Sequence, residues 1–151
     1  MTIAELESKC RLVSKKLTDN EYIRNIISDV DANTFILHSN ANEQLFEQGR
    51  NALGVEIASY APYRPYTIEQ KKKKGQPYDR VTLRDTGAFE KSFAVKIGRN
   101  EFYIDSDDWK TENLVKKYGE EIFGLTDENL NELKEKIILP DLILHIKNDL
   151  K

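Results

Sequence analysis

The hydrophobic period of this chain changes twice, and that pattern limits what it can fold into. Near the start Ile3, Leu6, Cys10, Val13 and Leu17 recur at alternating steps of three and four, the spacing of one helix face. In the middle the period falls to two: Phe93, Val95 and Ile97, then Phe102 and Ile104, with Gly98, Arg99 and Asn100 between them. Two short alternating runs across a glycine-bearing turn predict an antiparallel hairpin near 92–105. The helical period then returns through Leu130, Leu133 and Ile137, and through Leu142, Ile143, Ile146 and Leu150. A small antiparallel sheet between helical ends makes the chain α+β.

Local signals place the other elements. Thr18 followed by Glu21 has the form of a capping box and predicts the start of a second helix, with Tyr22, Ile23, Ile26, Ile27 and Val30 as its buried face. Asn40 with Glu43 predicts a third start, and Gly49 its C-terminal cap. Leu53, Val55 and Ile57 alternate with polar or small residues, consistent with a short strand. Leu114, Val115 and Tyr118 belong to a short helix closed by Gly119. Thr126 caps a longer one, with Asp127 and Glu128 in its first turn, and Pro140 either kinks it or starts a new piece.

With 151 residues, the chain is read as a single domain. Its parts are an N-terminal helical arm over 1–39, an α+β core over 40–106 and a helical segment over 107–151. One cysteine, Cys10, rules out a disulfide framework and a cysteine-based zinc site, and its place on the first apolar stripe reads as a small core residue. No stretch approaches the roughly 18 apolar residues of a membrane span. The first ten residues carry acids and no apolar block, so a signal peptide is not expected. These features suit a soluble protein of a reducing compartment.

Charge is unevenly spread. Residues 60–84 hold seven bases and two acids, whereas residues 100–151 hold seven bases and 13 acids, within a net charge of −3. Three of the four prolines and the run Lys71, Lys72, Lys73, Lys74 fall in 60–80. This stretch reads as a long basic loop, because proline removes a donor and restricts its predecessor. Loops of that length in small domains are usually functional or disordered. Its candidate partner residues are Tyr63, Arg64, Tyr66 and the four lysines. They suit an acidic protein neighbour, or nucleic acid through phosphate neutralisation and base stacking; a merely solvated loop is the plainer alternative.

Nothing in the sequence points to catalysis, a cofactor or a metal. Glu69-Gln70-Lys71 has the form of half a nuclease motif but lies in the proline-bounded stretch and not on a strand. Asp105, Asp107 and Asp108 offer hard-cation oxygens, yet lack the glycine and distal glutamate of an EF-hand loop, and read as a polar turn. His38 and His145 are far apart and read as structural or surface groups. No Gly-x-Ser-x-Gly or phosphate-binding glycine loop occurs.

One segment is more specific. Residues 83–92 read Leu-Arg-Asp-Thr-Gly-Ala-Phe-Glu-Lys-Ser. They resemble the L-x-x-T-G-x-L-x-x-S signature of virion-morphogenesis and tail-completion proteins of tailed phages, with Leu83, Thr86, Gly87 and Ser92 in place and Phe89 where that family usually has leucine. Gln44-Leu45 with Gly49, Tyr60 with Thr67 and Lys71, and Lys117-Tyr118-Gly119 before Ile122-Phe123-Gly124-Leu125 look similar to prophage proteins of Bacteroides-type bacteria. The resemblance implies a structural protein of the virion neck, joining head to tail after assembly in the bacterial cytoplasm. Its implied partners are further copies of itself in a ring, portal- or connector-side proteins and tail-tube proteins, with DNA contact secondary and no membrane. The alternative is a small nucleic-acid-binding accessory protein using the lysines. Physically, the motif reads as a folding device: Asp85 or Thr86 caps a turn, Gly87 allows tight backbone approach and Phe89 anchors it in the core.

Overall fold

A computed structural model describes all residues, 1–151. Eight α-helices and one hairpin make up the fold: α1 (Ile3–Thr18), α2 (Glu21–Ser28), α3 (Val30–His38), α4 (Pro65–Lys73), α5 (Ala88–Lys91), β1 (Phe93–Ile97), β2 (Phe102–Ser106), α6 (Thr111–Tyr118), α7 (Asp127–Leu133) and α8 (Leu139–Leu150). The architecture is α+β as the periods imply. The hairpin pairs Phe93 with Ser106, Val95 with Ile104 and Ile97 with Phe102, and Gly98 N–H closes its turn on the Glu101 carbonyl at 2.8 Å. A lone two-stranded ribbon is marginal in water. This one is covered by α2 and α3, and Phe93 and Ile104 are buried.

Phe89, Phe93 and Phe123 form the aromatic centre of the core. Phe89 and Phe93 meet edge to face at 4.9 Å, and Phe93 and Phe123 at 5.1 Å, the geometry favoured by ring quadrupoles. Ile27, Ile36, Leu45, Ile57, Val81, Ile122 and Leu133 complete the cluster around them.

Several local signals resolve differently from the sequence reading. Thr18 ends α1, its hydroxyl bonding back to the Ser14 carbonyl; Asn20, in the left-handed region, opens α2 without a side-chain cap. The stronger capping box is Thr2 with Glu5. Asn40 starts no helix, because α3 runs straight into a π-helix over Ser39–Gln48, so residue 39 is no boundary and α2 and α3 belong to the core. Asn40 and Gln44 are buried in that wide turn. The Asn40 amide donates to the Ile122 carbonyl at 3.0 Å and the Gln44 amide to the Gly124 carbonyl at 2.9 Å, while Gln44 Oε1 accepts from Thr126 N–H and the Asn129 amide. These polar groups clamp the 122–126 segment, which backbone partners alone would leave unsatisfied. Gly49 does end the helix, with φ +63, and a Cβ there would lie 2.9 Å from Arg80 Cβ. Leu53, Val55 and Ile57 form no strand; only an Arg50–Glu56 bridge remains, because Asn51 folds the segment into a tight turn.

The first apolar stripe also differs. Of its five residues only Val13 is buried; Ile3, Leu6, Cys10 and Leu17 are exposed, so Cys10 is not a core residue. α1 meets the body along a line rotated from the stripe, through Val13 and half-buried Lys9 and Lys16. There Lys16 and the Tyr22 hydroxyl both donate to Asp149 of α8. These bonds hold the Asp149 carboxyl below the usual range, and burial with the nearby carboxylate pushes the Tyr22 hydroxyl up to about 12. At the other end Thr126 caps α7 through Asn129 N–H, and the chain stays helical from α7 through a π-helical stretch, Lys134–Ile138, into α8, so Pro140 lies inside a continuous helix, directly after that widened stretch.

Phe93→Ala should lower unfolding free energy by about 3–5 kcal/mol in urea titration, the range for emptying an aromatic core site. Tyr103→Ala, on the exposed side of the same hairpin, should stay within about 0.5 kcal/mol.

Candidate functional site

The 60–80 stretch is not an extended loop. Pro65 occupies the first turn of α4, where its fixed φ favours helix, and Glu69, Gln70 and Lys71–Lys73 are good helix formers that carry it on. Proline was read as a breaker, but here it starts a helix.

The lysine run is divided by the helix turn. Lys71 is buried: its ammonium donates to the Arg84 carbonyl at 2.9 Å, lies 3.4 Å from Gln76 Oε1 and stands 5.1 Å from the Tyr63 ring centre. Lys71 is therefore withdrawn from any surface contact. Lys74 bonds Asp85 at 2.7 Å, and Lys72 stands over the Tyr78 ring. Arg64, Tyr66 and Lys73 are exposed, while the Tyr63 hydroxyl accepts from Thr82 N–H at 3.0 Å. The basic segment is thus a rigid helix presenting Lys72 and Lys73, and not one continuous stripe of four charges.

Lys71 leads directly to the 83–92 turn. Arg84 donates through Nε to Glu90 Oε1 at 3.2 Å and through Nη2 to Asn42 Oδ1 at 2.8 Å, with its guanidinium 3.9 Å from the Phe46 ring centre. The Asp85 carboxylate accepts from Lys74 and Gln76 and is held below the usual range by those bonds, Lys74 first. Thr86 Oγ1 accepts from Ala88 N–H two residues on, a local turn bond, but neither Asp85 nor Thr86 caps α5: its N-cap position is Gly87, without a side-chain cap. Gly87 has φ +83, which a side chain would strain. Phe89 enters the aromatic core, and the Ser92 hydroxyl donates to the Phe89 carbonyl and meets the Ser106 hydroxyl.

Two features of this turn carry no signal in the sequence pattern. Leu83 lies at φ +57, an uncommon conformation for a branched residue that costs about 1–2 kcal/mol. Glu90 is buried with only one oxygen partnered; Oε2 has none. Burial pushes the Glu90 carboxyl above the ordinary glutamate range, and Arg84 only partly offsets it.

Two clefts flank the turn. One, about 600 Å³, is bounded by Leu37, His38, Asn42, Arg84 and Lys91. The other, about 280 Å³, is bounded by Tyr63, Leu83, Phe89, Leu114 and Tyr118. His38 is tied to the Asn42 amide and His145 stands against Tyr22. Asp105 and Asp108 accept from the N–H groups of Ser106 and Lys110, respectively, and so shape the turn after β2. No group of three or more His, Cys, Asp or Glu is placed to hold a metal ion, and no helix is long and apolar enough to cross a membrane. The chain matches no protein-family model, no curated protein and no solved structure.

Lys71→Met should destabilise by about 1–3 kcal/mol, since the Arg84 carbonyl loses its donor in a buried site. Lys73→Ala should stay within about 0.5 kcal/mol. Glu90 gives a pH signature. Its folded-state carboxyl binds a proton more tightly than the unfolded one, so its contribution is fully present below the unfolded value and is lost as pH rises through the raised folded value. Glu90→Gln, which keeps an acceptor for Arg84, should therefore gain stability relative to the parent as pH rises from acid to neutral. Paired urea titrations across that range check the sign.

Proposed function

We propose that this chain is a structural protein of a phage or prophage neck, of the tail-completion or head–tail joining kind, which assembles as a ring and performs no catalysis. The observation that carries this reading is the 83–92 signature. Its threonine accepts a bond from Ala88 N–H within the turn, its glycine takes the left-handed conformation, and Phe89 fills the leucine position as a core anchor. Each motif residue thus has a physical task.

Charge placement supports repeated self-contact. α4 presents Lys72 and Lys73, whereas the C-terminal third, with more acids than bases, exposes Glu120, Glu121, Asp127, Glu128 and Glu135 beside Lys117, Lys134 and Lys136. Opposite charge on separate parts of one chain favours head-to-tail contact, which closes into a ring when the rotation per copy allows. Because α4 is already ordered, such a contact avoids the entropy of ordering a free loop. The proposed neighbours are connector-side and tail-tube proteins, and the proposed location is the virion neck.

Quantitative mass spectrometry of virions from an induced source strain tests this. The chain should occur at a low, fixed copy number relative to the major capsid protein. Its absence from particles, with expression confirmed in the cell, would contradict the reading. Lys72→Glu with Lys73→Glu should keep the melting temperature and reduce particle joining.

A further inference from the structure

The segment 50–56 is a rigid knob. Asn51 is buried, and its Oδ1 accepts from the N–H groups of both Leu53 and Val55 at 3.0 Å. Its own N–H donates to the Val55 carbonyl at 3.0 Å, and Ala52 N–H donates to the Glu121 carbonyl at 2.7 Å. This fixes the backbone, yet Leu53 is 71% exposed and Val55 41% exposed at its tip. Asn51 and the backbone bonds explain the turn's shape; they do not call for a leucine in water. A tip whose backbone is already fixed by hydrogen bonds needs little further backbone ordering to dock.

The same chain carries a matching hole. The 280 Å³ open cleft beside the 83–92 turn has six apolar lining residues, Tyr63, Leu83, Ala88, Phe89, Leu114 and Tyr118, and a polar remainder that includes Lys71, Arg84 and Lys110. A cavity of roughly 150 Å³ accepts a benzene-sized guest, so this one has room for a leucine side chain and a neighbour. Leu83, which lines it, is held in its strained conformation from both sides: Tyr63 fixes Thr82 N–H and Lys71 fixes the Arg84 carbonyl. Strain retained by surrounding bonds is a mark of a site kept for use.

Charge agrees with the fit. Asp85 and Glu90, which also line the cavity, are paired with Lys74 and Arg84, leaving Lys110 without a carboxylate on the rim. Beside the knob, Glu121 is exposed and makes no ion pair within the chain. Knob and hole share no residue, so one cannot face its own counterpart across a two-fold axis; the contact is heterologous.

We propose that the Leu53 tip of one copy inserts into the cleft beside the 83–92 turn of the next. This rests on the ring reading only in needing copies to meet head to tail, and it assigns the motif turn a partner. Both surfaces can be disabled at exposed positions: Leu53→Asp spoils the knob, and Ala88→Trp fills the hole. Sedimentation velocity on the full chain over a concentration series should show the parent associating beyond a dimer. Each variant alone should stay monomeric with an unchanged melting temperature. An equimolar mixture should associate but stop at the dimer, since only one knob and one hole remain intact. A parent that stays monomeric, a variant that associates like the parent, or a mixture that forms no dimer would each overturn the proposal. The virion measurement reads location independently: association without presence in particles removes the neck and keeps the contact, and presence without this association does the reverse.

Discussion

The Lys71 ammonium bonded to the Arg84 carbonyl is the contact on which the candidate site depends. It is the buried link between α4 and the 83–92 turn, beside the exposed bonds that Lys74 and Gln76 make to Asp85. Burying a lysine is unfavourable unless its donors are used. Here they meet a backbone carbonyl, a glutamine oxygen and the face of Tyr63. The result is an internal strut made from a residue type that usually solvates a surface.

What the strut supports is a turn under strain. Leu83 in the left-handed region and Glu90 with an unpartnered buried oxygen both oppose folding. Phe89 in the aromatic centre, the Arg84 bonds to Asn42 and Glu90, and the Asp85 bonds to Lys74 and Gln76 hold the turn despite them. A segment maintained this way presents its cavity already formed. In the contact proposed above, the knob at Leu53 is its preformed counterpart.

Much of the fold was legible in the sequence because period alone encodes it. Phe93, Val95, Ile97, Phe102 and Ile104 placed the hairpin, and Thr126 and Gly119 marked the helix limits near the end. The misreadings came where long-range partners decide. Nothing local shows that Asn40 and Gln44 will clamp residues more than seventy positions away, or that this will widen the helix into a π turn. The stripe of Ile3, Leu6, Cys10 and Leu17 has helical spacing, but spacing does not say which side the body covers. Pro65 reads locally as a loop residue, yet the fixed φ that bars it from a helix interior suits the first turn of α4. At the site, Thr86, Gly87 and Phe89 were legible as a turn and its anchor, whereas the inward Lys71 and the strain at Leu83 depend on packing that no short pattern carries.

The central claim is that α4 and the 83–92 turn form one preorganised unit joined by Lys71. Native-state hydrogen exchange of the α4 amides tests it most directly, because exchange reads the free energy of local opening. The account predicts that the amides of residues 69–73 are protected to nearly the level of the β1 and β2 ladder, and that Lys71→Met removes this protection while leaving the hairpin's intact. Exchange of 69–73 at unprotected rates in the parent chain would contradict it, and would return this stretch to a mobile basic loop.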